Sequence, residues 1–519
     1  MGDERPGTTN YFALARTSGS LTVTTLRTGL LALSLGIGAL MATVMTLPAT
    51  WGVLVLLAVC GVLGMSVWVA MRLPVVPILR IVLLASFWFR LEINLFPVIK
   101  QGHETPLGFV ISLGILLSVM LLVAFIFTRL QGREEVSAFP TIFTGAAIVL
   151  FVLGVLSVMQ GADTLLGLYG LWWQVTELLI CYVVAVHFRS SILLRQVVIC
   201  FAVAILLNSI LGILQYLELF GGWALLGATT GDRLMKIPGA EVSRASGLLE
   251  AANSFGWALV SFSPVVLAPA LLAKEALSLW TRRLCQAAFF GGTVSLLLTF
   301  SRGSWMAFAL TMPLFAVLVL SALPAQERGK MMLRLSGALL ALVLCALPFI
   351  QPISARLLGD DEGAAESRLP LMEVAVTMIR DRPLLGVGLS QYETEMRRND
   401  RTPDFISDAF PYPVHNLFLH VAAEAGIPAL LCLLTMVGIA LFYGWKAWRR
   451  KSPEHALPRA VAGGLMIGTL AYLITALKEP SSFDSGQIRN LFLLCGLLIA
   501  TERASGEYGI KNEVESEQE

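Results

Sequence analysis

The chain has 519 residues, of which 56% are hydrophobic and only 14% are charged. Soluble domains carry about 25% charged residues, so this composition excludes an ordinary soluble enzyme. The formal net charge is +2, and the basic residues lie in short loops between apolar runs. That distribution argues against a nucleic-acid-binding protein.

Apolar runs recur along almost the whole chain, and runs of roughly 18 to 25 residues can cross the hydrocarbon core of a bilayer. The ten-residue alternation typical of membrane β-barrels is absent. The sequence therefore predicts an all-α polytopic integral membrane protein with roughly 12–14 transmembrane helices. In chain order, the predicted spans are 27–47, 50–71, 77–97, 107–128, 139–160, 165–187, 195–219, 250–273, 285–301, 303–322, 332–351, 414–443, 458–477 and 488–501.

Lysine and arginine collect in alternate connections between these spans, as expected for short cytoplasmic loops. Both termini are therefore predicted in the cytoplasm, and the remaining connections on the opposite, periplasmic side. The predicted organisation is a cytoplasmic N-terminus (1–26), a transmembrane bundle (27–351), a large periplasmic loop (352–413), C-terminal transmembrane helices (414–501) and a disordered cytoplasmic tail (502–519).

The large loop is predicted to be partly helical, because Leu371, Val374 and Met378 have helical spacing. We expect this helix to lie on the outer membrane surface or over a cavity. The cysteines all fall inside apolar runs without a Cys-x-x-Cys pair, so they are interpreted as core residues. No cofactor or metal site is predicted.

Three polar residues stand out because the predicted topology places them on the same outer face. They are Arg244 in "EVSRASG", Arg302 in "TFSRGSW" and His415 in "PYPVHNLFLH". Each also has a purely structural interpretation: a loop arginine, an arginine that reaches the lipid headgroups, and a histidine at a helix start. His420 and Glu424, one helical turn apart, are expected to form a structural pair.

The three outer residues suit one chemistry. Two planar guanidinium groups match the oxygens of a diphosphate, and an imidazole can accept a proton from a hydroxyl near neutral pH. A substrate that joins a membrane anchor, a diphosphate and proton transfer is a polyprenyl-diphosphate-linked sugar, attacked by the hydroxyl of an acceptor.

Several motifs, in this order, resemble the O-antigen ligase and polymerase superfamily of bacterial envelopes. They are "SRASGLLEAANSFGWAL", "LLLTFSRGSWMAF", "RLPLMEVAVTMIRDRPLLGVGLSQY" and "HNLFLHVAAEAGIPALL". Two positions depart from the family pattern: "IPA" follows Gly426 where a further glycine is expected, and no proline precedes Asn253.

The resemblance implies an inverting, metal-independent glycosyltransferase without a cofactor, on the periplasmic side of the bacterial inner membrane. By position, His415 would be the catalytic base or would orient the acceptor, and Arg244 and Arg302 would bind the diphosphate. Asn253, Arg368 and Asn416 would support them. The implied donor is an undecaprenyl-diphosphate-linked glycan. The implied acceptor is a lipid-linked repeat unit or the lipid A core.

Three functions remain open from the sequence. A polymerase would extend a lipid-linked O-antigen or exopolysaccharide chain, and the high number of predicted helices favours it. A ligase would transfer the finished glycan to the lipid A core or to protein. A transporter could use the charged residues of the spans, namely Arg80, Arg90, Glu92 and Lys478, but the sequence shows no inverted repeat.

Overall fold

The computed structural model describes residues 75–89, 91–98, 107–130, 139–218, 234–237, 240–249, 251–358, 367–478 and 487–516. The chain divides into two compact units, residues 1–78 and 79–519. Of the first unit, only residues 75–78 are described. The predicted spans 27–47 and 50–71 lie outside the described residues.

Helices make up most of the described structure. In chain order they are α1 (Val75–Ala85), α2 (Leu113–Leu130), α3 (Thr141–Gln160), α4 (Thr164–His187), α5 (Ser191–Tyr216), α6 (Ala252–Leu272), α7 (Leu279–Leu298), α8 (Arg302–Ala322), α9 (Ala325–Ala346), α10 (Ile350–Leu358), α11 (Arg368–Asp381), α12 (Tyr392–Asn399), α13 (Ile406–Ala409), α14 (Leu417–Ala425), α15 (Ile427–Arg449), α16 (Ala456–Thr475) and α17 (Ile488–Ser516). Two antiparallel hairpins accompany them, β1 (Glu92–Val98) with β2 (Leu107–Ser112), and β3 (Leu234–Ile237) with β4 (Ala240–Ser243).

Nine helical segments of the described chain are long and apolar enough to cross a membrane. They are α2, α3, α4, α5, α6, α8, α15, the continuous segment Ala325–Leu357 that contains α9, and the segment Pro453–Thr475 that contains α16. The predicted class, an all-α polytopic membrane protein, is confirmed.

The predicted span 77–97 is wrong. Helix α1 ends at Ala85, a short 3-10 turn follows, and the chain then forms β1, with Glu92 paired to Ser112 of β2. The sequence of β1 alternates polar Glu92 and Asn94 with Ile93 and Leu95, which is the period of a strand. A helix here would carry a carboxylate into the hydrocarbon, which costs free energy.

The predicted span 414–443 is in fact two helices. α14 ends at Ala425, and α15 begins at Ile427. Gly426 lies between them with φ +88°, a backbone conformation that glycine adopts without strain. Pro428 follows in the first turn of α15, where the missing N–H costs nothing.

The last helix is longer than predicted. α17 continues to Ser516, through the region expected to be a disordered tail from residue 502. Glu502 of α17 forms ion pairs with Lys446 (3.2 Å) and Arg450 (3.1 Å) at the end of α15. These contacts give the helix support past the predicted boundary.

Helices α6 and α16 form the closest helix pair at the centre of the bundle. A Cβ atom at Gly464 would collide with the Pro264 carbonyl, and one at Gly468 with the Ser261 carbonyl. Further along, the rings of Trp257 and Tyr472 lie 4.8 Å apart. Because residue numbers rise on α16 as they fall on α6, the helices are antiparallel, and the end of α16 adjoins the start of α6.

The short connections at one end of the bundle carry basic residues, among them Lys274 and Lys451. The connections after α6, after α8 and after α15 all lie at one end, where Lys274 forms an ion pair with Glu327 (3.1 Å). We call this the basic end. The opposite end, where α6 begins, is called the site end.

We expect Gly468→Val to reduce the amount of folded protein sharply, because the new side chain would push α16 away from α6. Overpacking of this kind costs about 1–3 kcal/mol. Thermal unfolding of the detergent-solubilised protein measures the effect. Gly438→Val is the matched control, since a Cβ at Gly438 of α15 meets no atom within 4 Å; equal melting temperatures for both variants would contradict the packing role.

Candidate functional site

Arg244 is held between α6 and α7 at the site end. Its Nε donates to the Thr299 carbonyl (2.8 Å), and its Nη2 donates to Oδ1 of Asn253 (2.7 Å). The next residue, Ala245, donates its N–H to the Leu298 carbonyl (2.9 Å). The side chain is half-buried. Asn253, which was predicted to support the site, therefore contacts Arg244, which was predicted to bind the diphosphate.

Arg302 is the first residue of α8, immediately after a tight turn. Phe300 in this turn has φ +51°, a conformation that non-glycine residues adopt rarely. Ser301 caps α8 by accepting from the Ser304 N–H, and Ser304 packs against Gly256 in the first turns of α6. The start of α8 thus lies beside the start of α6, where Arg244 is bound.

His415 lies at the start of α14. Asn416 caps this helix, and its Oδ1 accepts the N–H groups of Phe418 (3.0 Å) and Leu419 (3.1 Å). Leu417 donates its N–H to the carbonyl of Ala476 (2.9 Å), at the end of α16. Because the end of α16 adjoins the start of α6, this bond holds His415 at the site end.

The imidazole of His415 is held neutral and in one tautomer. Its Nδ1 lies 3.1 Å from the Pro413 carbonyl, which requires a proton on Nδ1 and leaves Nε2 as the proton acceptor. Burial, which has the largest effect, the positive charge of Arg368 and the proximity of His420 together lower the pKa of His415 to about 4. The Pro413 carbonyl opposes this shift. At neutral pH, His415 can therefore act as a base.

Arg368 lies close enough to His415 to lower its pKa because α11 packs on α14. Leu371, Val374 and Met378 of α11 are buried in one cluster with Val414 and Ala423. The predicted apolar face of the loop helix therefore exists, and it covers α14.

Backbone bonds join the large loop to the far end of α14. Val387 and Gly388 donate their N–H groups to the carbonyls of Ala423 (2.8 Å) and Glu424 (3.0 Å). Gly386 (φ +65°) and Gly426 (φ +88°) have positive φ, and a side chain at either would collide with the opposing backbone. We call this contact the glycine clamp.

His420 and Glu424 form the expected structural pair. Both side chains are 2% exposed, and Nε2 of His420 lies 3.5 Å from Oε1 of Glu424. The same carboxylate oxygen accepts the N–H of Tyr392 (3.2 Å), whose ring lies 4.8 Å from the imidazole of His420. The pair thus ties α12 of the loop to α14.

The predicted site residues form two groups at the site end. Arg244, Asn253 and Arg302 surround the starts of α6 and α8, whereas His415, Asn416 and Arg368 surround the start of α14. Besides the bond from Leu417 to Ala476, Gln487 connects α6 with α16, the helix that carries Ala476 at its end. Its Nε2 donates to Oγ of Ser254 (2.9 Å), and its carbonyl accepts the hydroxyl of Tyr472 (3.1 Å).

The segment at the start of α17 links the start of α6 to the middle of α4. Arg489, in the first turn of α17, donates from Nε to Glu177 (3.4 Å) in the middle of α4 and lies over the ring of Trp173. The segment from Thr164 to Glu177 rises about 20 Å. α4 therefore extends well beyond the start of α6, towards the large loop. This ion pair was not predicted, although Glu177 stands out as an acidic residue within an apolar run.

A cavity of about 390 Å³ lies between the start of α4 and α12, and is lined by residues of both, including Asp163, Gln391 and Thr394. None of the predicted site residues lines it. Within the described part of the chain, no group of three or more His, Cys, Asp and Glu residues could hold a metal ion.

The residues considered for a transport path are dispersed. Arg80 contacts Nδ1 of His187 (3.2 Å) at the basic end. Glu92 lies in β1, and Lys478 follows α16 at the site end. Arg90 lies outside the described residues.

Residues 287–434 match the family model described as O-antigen ligase. This match supports the superfamily of O-antigen ligases and polymerases, as the motifs predicted. The matched segment contains Arg302, Arg368, His415 and Asn416, whereas Arg244 and Asn253 precede it. Among curated proteins, no sequence matches this chain.

We expect Asn416→Ala to destabilise the start of α14, because two backbone N–H groups lose their acceptor. Loss of such a helix cap costs about 1 kcal/mol. Asn416→Asp retains the acceptor and is the matched control. Thermal unfolding compares the two, and a melting temperature for Asn416→Ala equal to that of the unaltered protein would contradict the capping role.

Proposed function

We propose, on the premise that the chain is a member of the O-antigen ligase and polymerase superfamily, that it is a membrane glycosyltransferase. It moves a glycan from undecaprenyl diphosphate to a hydroxyl of an acceptor saccharide. The observation that carries the proposal is the placement of two arginines and a neutral, oriented imidazole at one end of the bundle.

In the proposed reaction, Nε2 of His415 accepts the proton of the acceptor hydroxyl. The hydroxyl oxygen attacks the anomeric carbon of the donor, and the bond from that carbon to the diphosphate oxygen breaks. One displacement inverts the anomeric configuration. Arg244 and Arg302 stabilise the charge on the departing diphosphate, as a metal ion does in other glycosyltransferases. Asn253 orients Arg244, and Arg368 keeps His415 neutral.

The basic residues in the short connections at the basic end support a location for this reaction. Basic loops stay in the cytoplasm, so we assign the basic end to the cytoplasmic side of the bacterial inner membrane. The site end then faces the periplasm, where the lipid tail of the donor remains in the outer leaflet.

Two reactions with different acceptors are compatible with the proposed chemistry. A polymerase uses a second lipid-linked repeat unit, and a ligase uses the lipid A core or a protein. The glycan that accumulates on undecaprenyl diphosphate in a deletion strain distinguishes them. Single repeat units indicate a polymerase, which we favour, and full-length chains indicate a ligase.

We expect His415→Ala to abolish glycan transfer, because the acceptor hydroxyl loses its base. Arg244→Lys should also be severely impaired, since lysine lacks the planar fork that matches a diphosphate. Transfer is measured with purified protein and lipid-linked donor, with membrane levels checked by immunoblot. Arg382→Lys, at an exposed loop position, is the control. Unchanged transfer by His415→Ala would remove the proposed function.

We expect kcat/KM to be independent of His415 ionisation above about pH 5, and to fall as the pH approaches 4. The sign follows because only the neutral imidazole accepts a proton, and its pKa is lowered to about 4. Arg368→Gln removes a positive charge near His415, so it should move this acidic limb to higher pH. Arg382→Gln should leave the limb in place. An acidic limb unchanged in Arg368→Gln would contradict the electrostatic role of Arg368.

A further inference from the structure

The cavity between the start of α4 and α12 has fixed walls. The buried side chain of Gln391 bonds twice to the backbone of Asp163: its Oε1 accepts the N–H (2.9 Å), and its Nε2 donates to the carbonyl (2.9 Å). Oδ1 of Asp163 in turn accepts the N–H groups of Leu165 (3.0 Å) and Leu166 (3.2 Å) in the first turn of α4. These bonds fix the two sides of the cavity to each other, so the cavity is preformed.

The lining of the cavity offers hydrogen-bond donors and acceptors side by side. The polar side chains that α12 contributes to it are Glu393, Thr394, Glu395, Arg397 and Arg398. Carboxylates accept and guanidinium groups donate. The hydroxyl of Thr394 donates to the carbonyl of Gln391 (3.0 Å) and can still accept. The volume of about 390 Å³ lies in the range of small-molecule sites.

The charges of the lining favour a neutral ligand. Nη1 of Arg398 lies 2.8 Å from Oε1 of Glu395, and Nε of Arg397 lies 3.4 Å from Oδ1 of Asp408. Both guanidinium groups thus have carboxylate partners, and Glu393 adds a further carboxylate, which disfavours a phosphate. A hydroxyl group both donates and accepts, so an uncharged ligand with many hydroxyls, such as a saccharide, matches this lining.

The cavity adjoins the segment that leads to His415. Pro411 lines the cavity, and His415 follows four residues later, so their Cα atoms lie at most about 14 Å apart. Tyr392 of α12 is buried in one cluster with Val414, and its ring lies 4.8 Å from that of His420. The helix that lines the cavity therefore packs on the helix that begins after His415, the residue proposed to deprotonate the acceptor.

We propose that this cavity binds a sugar residue of the acceptor saccharide, while another sugar of the same molecule presents its hydroxyl to His415. The inference rests on the proposed function and adds a binding site that sets acceptor specificity. It differs from a purely structural role, in which the cavity is a hydrated cleft between α4 and the large loop.

The binding test uses two oligosaccharide probes: the repeat unit released by mild acid from the surface polysaccharide of the source bacterium, and the oligosaccharide of its lipid A core. Each is titrated against the purified, detergent-solubilised full-length protein by ligand-observed NMR. We expect one of them to bind, and Arg397→Ala to weaken that binding roughly tenfold, because hydrogen bonds from a charged group are lost. Binding of neither probe to the unaltered protein would overturn the proposal.

Arg401→Ala is the matched control. Arg401 is an exposed arginine of the same loop and pairs with Asp381 (2.7 Å), but it does not line the cavity. Exposed ion pairs contribute little to stability, so neither arginine variant should lose its fold. Glu393→Ala, compared with Glu373→Ala at an exposed position of α11, tests the opposite charge in the same way.

The transfer assay separates this site from the proposed reaction. Arg397→Ala should raise the KM for the acceptor roughly tenfold and leave kcat and the KM for the donor unchanged. An unchanged acceptor KM in Arg397→Ala and Glu393→Ala, with normal transfer, would overturn the acceptor site and leave the proposed function standing. Weaker binding of undecaprenyl diphosphate by Arg397→Ala would also overturn it. Absence of transfer by the unaltered protein, with the oligosaccharide bound, would instead overturn the proposed function.

Discussion

The contact between α6 and α16 is the constraint on which the site depends. Gly464 and Gly468 let the two backbones approach so closely that the antiparallel register is fixed. Through this register, the end of α16 presents the Ala476 carbonyl beside the start of α6. Leu417 binds that carbonyl, so the start of α14 is placed relative to the helix that carries Asn253. In a membrane, where lipid is as apolar as the helix surface, close backbone packing of this kind supplies much of the association energy.

A second constraint is electrostatic. A guanidinium group near the hydrocarbon is expensive unless polar groups surround it. The end of α7 meets this need, because the helix finishes at Leu298 and the following carbonyls of Thr299 and Phe300 lie outside its hydrogen-bonding pattern. The unusual backbone of Phe300 makes these carbonyls accessible to side chains from two other segments. Two arginines from distant segments, Arg244 and Arg356, are thus bound at one helix end.

Much of this arrangement could be predicted from the sequence. Apolar runs predicted the membrane class, and the alternation of basic loops predicted that Arg244, Arg302 and His415 lie on one face. The role of Asn416 at a helix start also follows from its position before an apolar run.

The remaining features arise from contacts between distant segments. Arg356 belongs to the region after a long apolar helix, and nothing in "ISARLLG" indicates that it reaches a turn more than fifty residues earlier. The pair of Glu177 and Arg489 likewise joins segments that are 312 residues apart in the chain. The hairpin at β1 was missed for another reason: the alternation of Glu92 and Asn94 with Ile93 and Leu95 is short and directly follows an apolar run, so both were predicted as one span.

The glycine clamp has a mechanical consequence. The loop segment at Gly386 and the helix that begins after His415 are joined by backbone bonds and by glycines that leave no room for slippage. Displacing that segment would therefore carry His415 along with it, and the distance from the imidazole to the arginines at the start of α6 would change in the same movement.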